Sequence, residues 1–222
     1  MSQTVIIVGL GEVGKPLFGI IKTKHEVFGV DIDFAAALNW CDVMHICFPF
    51  RGQKFVAQVV EYIERYQPAL TIINSTVAPG TSRRVAGESG APVVNSPIRG
   101  KHARMQEEML HYTKFIGALD PQSAARAVQH FQSVGIKTKV LSCPEASEVA
   151  KLTETTYFGL LIAWAQEVEG YCKALGADYD EVFSWRNWWA LRYAQYRDSP
   201  PGISFRSFAG YRAIKRTKEK QP

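Results

Sequence analysis

The chain has 222 residues, of which 46% are hydrophobic and 21% charged, which is enough to bury a core and ordinary for a soluble globular protein. Its 26 lysines and arginines against 21 aspartates and glutamates give a formal net charge of +5. No apolar run reaches the roughly 20 residues that span a bilayer, and Val5–Leu10 is too short for a signal peptide, so we expect a cytoplasmic protein without membrane contact.

The first two-thirds of the chain alternates short β-branched runs with helical patterns, which is typical of a parallel α/β sheet. Helices are predicted at Val13–Lys22, Lys54–Arg65 and Ala124–Ser133. About a dozen residues join the second and third strands, near the lower limit for a parallel crossover, so we expect a very short helix or an irregular loop there. The predicted strands are Val5–Val8, Glu26–Val30, Val43–Phe48, Thr71–Asn74, Pro92–Asn95, Phe115–Gly117 and Lys137–Leu141.

A different pattern follows Pro144. Glu145–Leu175 contains no proline, and its apolar residues are mostly three and four positions apart, which predicts one long helix. Gly176 is a plausible stop, and Asp178 is placed to cap a second helix that runs through Trp185. Because so long and apolar a helix usually needs cover from a second subunit, we predict a homodimer built on it.

A glycine-rich loop, Gly9-Leu10-Gly11-Glu12-Val13-Gly14, joins the first predicted strand to the first predicted helix. This is the context that a G-x-G-x-x-G loop needs in order to bind a dinucleotide. The first glycine permits a tight turn, the second lets the backbone approach a pyrophosphate, and the third lets helix and strand pack closely. The start of the helix offers N–H groups to the anion. We therefore predict cofactor binding by Gly9, Gly11, Glu12, Val13 and Gly14.

The acidic residue at the end of the second strand points to the cofactor. Asp31 lies 17 residues after Gly14, where a carboxylate accepts hydrogen bonds from the ribose of adenosine and repels the extra phosphate of NADP. The alternative is a turn residue, and S-adenosylmethionine proteins use a related acid, so Asp31 alone does not fix the cofactor. The glycine loop favours NAD. Pro49 ends the third strand, where such folds place a cofactor-lining loop.

These patterns predict an α/β fold: a Rossmann-type, mostly parallel sheet, followed by a long central helix and a small helical C-terminal region. Residues 1–143 would form the NAD-binding domain. Residues 144–222 would form a helical domain that contains the long helix and serves dimerisation. The aromatic cluster between Trp185 and Tyr196 is interpreted as core or dimer interface.

Three further segments carry a family resemblance. Asn74–Thr81 is similar to an S-T-V-x-P-G-T loop, and Asn95–Lys101 follows the fifth strand. Glu148–Lys151 with the turn Gly176–Asp178 is similar to an E-x-x-K helix and an L-G-x-D turn. On these segments the chain resembles a short, truncated member of the superfamily of nucleotide-sugar (UDP-glucose/GDP-mannose), 6-phosphogluconate and β-hydroxyacid dehydrogenases. The resemblance implies that Ser75 and Thr76 line the nicotinamide side of the cofactor.

Lys151 is the residue that the resemblance marks as catalytic. An ammonium beside the nicotinamide can donate a hydrogen bond to an alkoxide or carbonyl oxygen, and if desolvated it can take the proton as the hydride leaves. From spacing alone the alternative is an exposed lysine that pairs with Glu148 or Glu154.

The sequence also departs from the family. Thr155 stands where nucleotide-sugar dehydrogenases carry an asparagine, and Ile98 and Arg99 follow the proline where they carry a glutamate. Their further nucleotide-binding domain and its thiol nucleophile have no counterpart in these 222 residues. We therefore expect a two-electron interconversion of alcohol and carbonyl rather than a four-electron oxidation through a thioester.

A basic loop suggests the substrate. Arg99, Lys101, His102 and Arg104 put three permanent cations and a histidine within six residues. Such a cluster suits a carboxylate or a phosphate, although a solvated basic loop is the alternative. We predict that Arg99 anchors a small anionic substrate and that Thr155 helps to orient it.

Other chemistry finds less support. The four cysteines show no C-x-x-C spacing and are interpreted as buried free thiols. No histidine–carboxylate spacing resembles a metal site, and His45, within an apolar strand, is interpreted as a core residue rather than a base. The basic residues between positions 212 and 220 come without a nucleic-acid motif. We expect neither a metal nor a nucleic-acid partner.

The sequence thus predicts an NAD-dependent oxidoreductase that acts on a small anionic or nucleotide-sugar-like substrate. The first alternative is a non-catalytic NAD(H)-binding module that senses redox state or regulates a partner, which the changes at Ile98 and Thr155 favour. A transferase that has re-used the fold for S-adenosylmethionine is the second alternative. A fold alone does not transfer chemistry, so the substrate stays open.

Overall fold

The computed structural model of the protein describes residues 2–31, 36–99 and 104–183. A seven-stranded sheet forms its centre, in the order β2-β1-β3-β4-β5-β6-β7. All neighbouring strands pair in parallel except β5 and β6, so the predicted mostly parallel sheet is confirmed. The strands are β1 (Thr4–Val8), β2 (Glu26–Val30), β3 (Cys41–Ile46), β4 (Pro68–Ile73), β5 (Val93–Asn95), β6 (Lys114–Ala118) and β7 (Thr138–Leu141).

All seven predicted strands are present, with ends that differ by up to three residues. β4 begins three residues earlier than predicted, because a proline at a first strand position leaves the ladder intact. Residues 36–40, in the connection between β2 and β3, form no regular element, and residues 32–35 lie outside the described residues, so the predicted short helix or irregular loop stays a prediction.

Six helices complete the described fold: α1 (Gly14–Ile21), α2 (Gln53–Tyr66), α3 (Thr81–Ser89), α4 (Met105–His111), α5 (Pro121–Ser133) and α6 (Pro144–Leu175). Four of the five predicted helices are confirmed, and the fifth, after Asp178, is described only in part; α3 and α4 were not predicted. α3 buries only Thr81, Ser82 and Val85 and therefore lacks an apolar period. α4 has only seven residues, too few for a periodic pattern.

Helices cover the central strands on both faces, which explains why β1, β3 and β4 are almost entirely apolar. On one face Ile7, Leu17 and Phe131 belong to a cluster of buried side chains. On the other face Ile6 and Phe55 belong to a second cluster. The strand order reverses direction at β1, since β2 lies on one side of it and β3 on the other. Ligands of open α/β sheets bind in the crevice beyond the carboxyl ends of the strands at such a point.

The long helix α6 ends as predicted. Gly176 follows it with a φ of 68°, a left-handed conformation that favours glycine. The backbone N–H of Glu181 donates to Asp178 Oδ1 (3.0 Å), so Asp178 caps the next helical residues, 179–183. The remainder of that predicted helix and the aromatic segment up to Tyr196 lie outside the described residues.

The chain divides into two compact units, Met1–Tyr157 and Phe158–Pro222. The predicted domain boundary between residues 143 and 144, with its division of roles, stays a prediction. Within the described residues, no helix has the length and hydropathy of a membrane span.

Candidate active site

The first and third glycines of the loop are fixed by packing. Gly9 has a φ of 91°, and a Cβ there would lie 2.8 Å from the backbone nitrogen of Phe48. A Cβ on Gly14 would lie 1.8 Å from the carbonyl oxygen of Gly9, far inside contact distance. The loop after β1 therefore turns tightly against the end of β3, and α1 begins directly on top of it.

The middle glycine faces open space. A Cβ on Gly11 would meet no atom within 4 Å, and Glu12 beside it is exposed. Val13 occupies the N-cap position of α1, no side chain caps the helix, and its first turn holds no acidic residue. Because the first N–H groups of a helix and its dipole attract anions, this end of α1 fits the pyrophosphate of a dinucleotide.

Asp31 is tied to the glycine loop. The backbone N–H of Leu10 donates to Asp31 Oδ2 (2.9 Å), and Gly9 N–H donates to the Val30 carbonyl (2.8 Å). The carboxylate is therefore held at the carboxyl end of β2, directly beside the loop. This is where the sequence predicted a contact with the ribose of adenosine.

The residues predicted to line the nicotinamide follow β3 and β4. The Ser75 hydroxyl is buried and donates to the Phe48 carbonyl (2.6 Å), which fastens the end of β4 to the end of β3. Pro49 and Thr76, one residue beyond each of these groups, are exposed. Ser75 therefore contributes by holding the ends of β3 and β4 together, whereas the side chains of Pro49 and Thr76 are exposed and accessible to a ligand.

Glu148 has a role that the sequence did not predict. Its side chain is 1% exposed, and its carboxylate accepts hydrogen bonds from Gly80 N–H (2.6 Å) and Ser82 N–H (2.9 Å). These are backbone groups at the start of α3, which no side chain of its own segment caps. The glutamate of the E-x-x-K motif thus joins α6 to the helix that the S-T-V-x-P-G-T loop begins.

Lys151 lies one helical turn after Glu148. Burial lowers the pKa of its ammonium, the Glu154 carboxylate opposes that shift, and the Arg99 guanidinium adds to it. The Lys151 ammonium makes no hydrogen bond or ion pair with any other described residue. Its two candidate partners are engaged elsewhere, because Glu148 caps α3 and Glu154 binds Arg99. The ammonium is half-buried and available, as an acid–base residue must be.

Arg99 is not a free cation. Its Nε donates to both oxygens of Glu154 (3.0 Å each), and its Nη2 donates to Oε1. The guanidinium carbon lies 5.5 Å from the ring centre of Tyr112 and 5.0 Å from that of Phe115, which are cation–π contacts. In the rest of the basic loop, Arg104 lies 3.9 Å from Glu108, and Lys101 and His102 are outside the described residues.

The structure brings Lys151, Glu154 and Thr155 onto one face of α6, next to Arg99. The Thr155 hydroxyl donates to the Lys151 carbonyl (2.9 Å), a bond within the helix that leaves the oxygen able to accept another. Thr155 itself is exposed.

Lys114, a buried lysine, was also missed by the sequence analysis. Its side chain at the start of β6 is 5% exposed, and Nζ donates to the carbonyls of Ser96 (2.6 Å) and Pro97 (3.4 Å). Burial lowers the pKa of this ammonium to about 7; Cys47 opposes the shift and Lys151 adds to it. Lys114 thereby supports the segment Ser96–Pro97, which precedes Arg99. A single lysine at a strand start gives no sequence signal for such a role.

His45 is a core residue, as predicted, and belongs to a chain of hydrogen bonds. Its Nδ1 lies 3.0 Å from Asn74 Nδ2 and its Nε2 lies 2.9 Å from His130 Nε2, while His130 Nδ1 lies 2.8 Å from Gln3 Oε1. An amide nitrogen only donates and an amide oxygen only accepts, so protons are assigned to His45 Nε2 and His130 Nδ1. Both rings are neutral, and burial lowers their pKa, to about 3 for His130.

The four cysteines are free thiols. Cys41 and Cys172 are buried, Cys47 and Cys143 are half-buried, and burial raises the pKa of Cys41 and Cys47 to about 12. The described residues contain no group of three or more histidine, cysteine, aspartate or glutamate side chains that could hold a metal.

Known proteins resemble the chain in sequence. It is 23% identical, over 237 aligned positions, to a UDP-N-acetyl-D-mannosamine dehydrogenase of Methanocaldococcus jannaschii, a match that covers 84% of this chain and 56% of that protein. The chain thus spans about half the length of the curated relatives it matches. No family model matches the sequence.

Solved structures resemble it in fold. A 3-hydroxyisobutyrate dehydrogenase of Mycobacterium tuberculosis superposes with a TM-score of 0.70 at 20% identity, over 83% of this chain and 69% of that one. A GDP-mannose dehydrogenase of Pseudomonas aeruginosa gives a TM-score of 0.66 at 20% identity, over 81% and 55%. At this identity the likeness establishes the Rossmann-type fold. The sequence match agrees with the resemblance to nucleotide-sugar dehydrogenases that its motifs indicated.

Proposed function

We propose that the protein is an NAD-dependent oxidoreductase that interconverts an alcohol and a carbonyl on a small anionic or nucleotide-sugar-like substrate. The observation that carries this proposal is Lys151: a half-buried ammonium with a lowered pKa, on a helix whose Glu148 caps the helix after the S-T-V-x-P-G-T loop. A lysine of this kind next to a dinucleotide crevice is suited to acid–base catalysis.

In this proposal the glycine loop and α1 hold the pyrophosphate, and Asp31 binds the ribose and selects NAD over NADP. Pro49, Ser75 and Thr76 line the nicotinamide side. Bound NAD supplies the hydride acceptor. Lys151 takes the proton of the substrate hydroxyl, and returns it to the oxygen in the reverse direction.

Arg99 and Thr155 orient the substrate on the same face of α6. The named activities of the relatives support this substrate class: one is a UDP-N-acetyl-D-mannosamine dehydrogenase and one a 3-hydroxyisobutyrate dehydrogenase. Both oxidise substrates that carry negative charge.

A non-catalytic NAD(H)-binding module is the second candidate. One observation favours it: Glu154 already neutralises Arg99. Binding of NADH without turnover of any alcohol or carbonyl would distinguish this candidate from the enzyme.

The homodimer predicted from the sequence also belongs to the proposal. Several large apolar side chains of α6 are exposed, including Leu160 (65%), Trp164 (49%) and Tyr171 (58%). A second copy of the chain would remove this surface from water. The cytoplasmic location predicted from the sequence stays a prediction.

The cofactor part of the proposal is tested by calorimetric titration with NADH and NADPH. The variant Gly11→Ala adds a methyl group to open space, so the protein should fold normally yet lose NADH binding, because the methyl blocks the backbone's approach to the pyrophosphate. Gly87→Ala, an equally open glycine in α3, is the matched control and should bind like the wild type.

We expect NADH binding on the order of micromolar, weaker NADPH binding, and a loss in Gly11→Ala alone. A folded wild-type protein that binds neither dinucleotide would refute the proposal.

A further inference from the structure

The ion pair between Arg99 and Glu154 joins two side chains that are held very differently. Arg99 lies against the rings of Tyr112 and Phe115, and its side chain is 26% exposed. Glu154 projects from α6 with 22% of its side chain exposed, and all hydrogen bonds of its carboxylate to described residues come from Arg99. The guanidinium therefore has contacts besides the ion pair, whereas Arg99 is the only described residue that hydrogen-bonds the carboxylate.

We propose that the Arg99 guanidinium is a carboxylate-binding site that the side chain of Glu154 occupies in the free protein, and that a substrate carboxylate binds by displacing Glu154. The identification of the ligand as a substrate rests on the proposed function. The exchange itself depends only on the groups around Arg99.

The geometry of the pair matches a planar carboxylate. Nε and Nη2 together face the two oxygens of Glu154, which is the two-pronged arrangement by which an arginine recognises a carboxylate. A ligand carboxylate can reproduce these contacts atom for atom. A tetrahedral phosphate can also meet this fork with two of its oxygens, but it carries further oxygens that the carboxylate of Glu154 lacks.

The position of the pair narrows the substrate class. Glu154 lies one helical turn after Lys151, and both charges act on the Lys151 ammonium. We place the rest of a ligand whose carboxylate replaces that of Glu154 along the face of α6 that carries Lys151, because the two side chains are one turn apart and interact electrostatically. A hydroxyl or carbonyl a few atoms from the carboxylate would then reach the ammonium, so the site fits a hydroxy acid or the corresponding oxo acid.

Displacement of Glu154 can be detected as a difference in ligand affinity between the wild type and a variant. In the wild type a ligand must first break the internal ion pair, and this competition weakens its binding. Glu154→Gln keeps the size of the side chain but removes the competing charge. Hydrogen bonds to charged groups are strong enough that we expect the variant to bind a small carboxylate roughly tenfold more tightly, or better.

The experiment is a calorimetric titration with malonate, and in parallel with inorganic phosphate, without cofactor. Glu145→Gln is the matched control: it also removes a glutamate of α6 that pairs with an arginine, Arg83, away from Arg99. The expected result is tighter malonate binding in Glu154→Gln, no change in Glu145→Gln, and loss of the gain in the double variant Arg99→Gln/Glu154→Gln.

Equal malonate affinity in the wild type and Glu154→Gln, or no binding in either, overturns the inference. If Glu154→Gln increased the affinity for phosphate as much as that for malonate, the assignment of the Arg99 site to carboxylates would be wrong. NADH titration of the same proteins keeps the two proposals apart. A gain in malonate binding without any NADH binding supports the carboxylate site and contradicts the proposed function.

Discussion

At the scale of single residues, the two lysines of the site differ in what surrounds them. Lys151 is half-buried and its ammonium has no hydrogen-bond partner among the described residues, so it is free to exchange a proton with a ligand. Lys114 is buried and its Nζ is engaged by the carbonyls of the Ser96–Pro97 segment. Lys151 is thus suited to acid–base catalysis and Lys114 to a structural role. Substitutions of the two lysines should therefore have different effects.

Replacement of Lys151 by alanine should abolish turnover and leave the dissociation constant for NADH unchanged, because the pyrophosphate and ribose contacts lie elsewhere. A loss of at least about a hundredfold in kcat is expected from removing an acid–base group. The measurement is steady-state kinetics on the best hydroxy-acid substrate, with NADH titration as the control for folding. Turnover at the wild-type rate would remove Lys151 from the mechanism.

Lys114 should make stability depend on pH. Its pKa falls from 10.5 to about 7 on folding, so between these values the unfolded chain binds a proton that the folded chain does not. The cost of the buried charge is therefore fully present below pH 7 and disappears as the pH rises toward 10.5. The difference in unfolding free energy between the wild type and Lys114→Met should change in favour of the wild type by up to about 1.4 kcal/mol per pH unit.

Urea unfolding at several pH values from 6 to 10 measures this difference. Lys139→Met, the same substitution at an exposed position of β7, controls for the loss of a lysine from the chain. A difference between wild type and Lys114→Met that stays constant over the whole range would contradict the assignment.

At the scale of elements, α3 depends on a residue that is 66 positions away from its own Ser82. Glu148 of α6 accepts the N–H groups of Gly80 and Ser82, and no other side chain caps this helix. The cap is buried, so its loss leaves a donor without a partner. The start of α3 and the loop before it are thereby fastened to the helix that carries Lys151.

We expect Glu148→Gln to lower the free energy of unfolding by about 1–3 kcal/mol, because the amide group can accept one of the two N–H groups but not both. Glu145→Gln is the control on the same helix. Its partner Arg83 is 58% exposed, and exposed ion pairs contribute at most about 1 kcal/mol. If urea unfolding showed equal destabilisation by Glu148→Gln and Glu145→Gln, the buried cap would contribute no more to stability than an exposed ion pair, and the prediction would be wrong.

At the scale of the whole molecule, the exposed apolar surface of α6 leads to a prediction about assembly. The wild type should have the mass of a dimer in light scattering, and Leu160→Asp should shift it to a monomer, because a charge would be buried in the interface. Val140→Asp, at an equally exposed position of β7, should leave the mass unchanged. A monomer at every wild-type concentration would refute the dimer.

The sequence was sufficient to predict the parts of the fold that depend on local pattern. Strands with β-branched runs, the glycine loop and the 32-residue α6 were all predictable, because periodicity and turn chemistry are written in neighbouring residues. α3 and α4 were not, because one lacks an apolar stripe and the other is too short.

The candidate site divides in the same way. Spacing and resemblance were enough to propose Asp31 and Lys151 as site residues, whereas they gave no indication of the contacts made by Glu148, Glu154 and Lys114. Each of these three side chains acts on a partner between 17 and 68 positions away. Only the folded chain brings such partners together, and no pattern in the sequence distinguishes a glutamate that caps a distant helix from one that faces solvent.

The hydrogen-bonded chain from Asn74 through His45 and His130 to Gln3 runs from the carboxyl end of β4 to the residue before β1. With the Gln3 oxygen as the acceptor, every proton in this chain of hydrogen bonds has one place. The Asn74 amide, which also donates to the Ile72 carbonyl (3.2 Å), cannot turn over unless both imidazoles change tautomer and the Gln3 amide turns as well. The orientation of the Asn74 amide, next to the Ser75–Thr76 segment, is therefore coupled to that of the Gln3 amide. A substitution at Gln3 would therefore change the hydrogen bonding of Asn74, at the other end of this chain of hydrogen bonds.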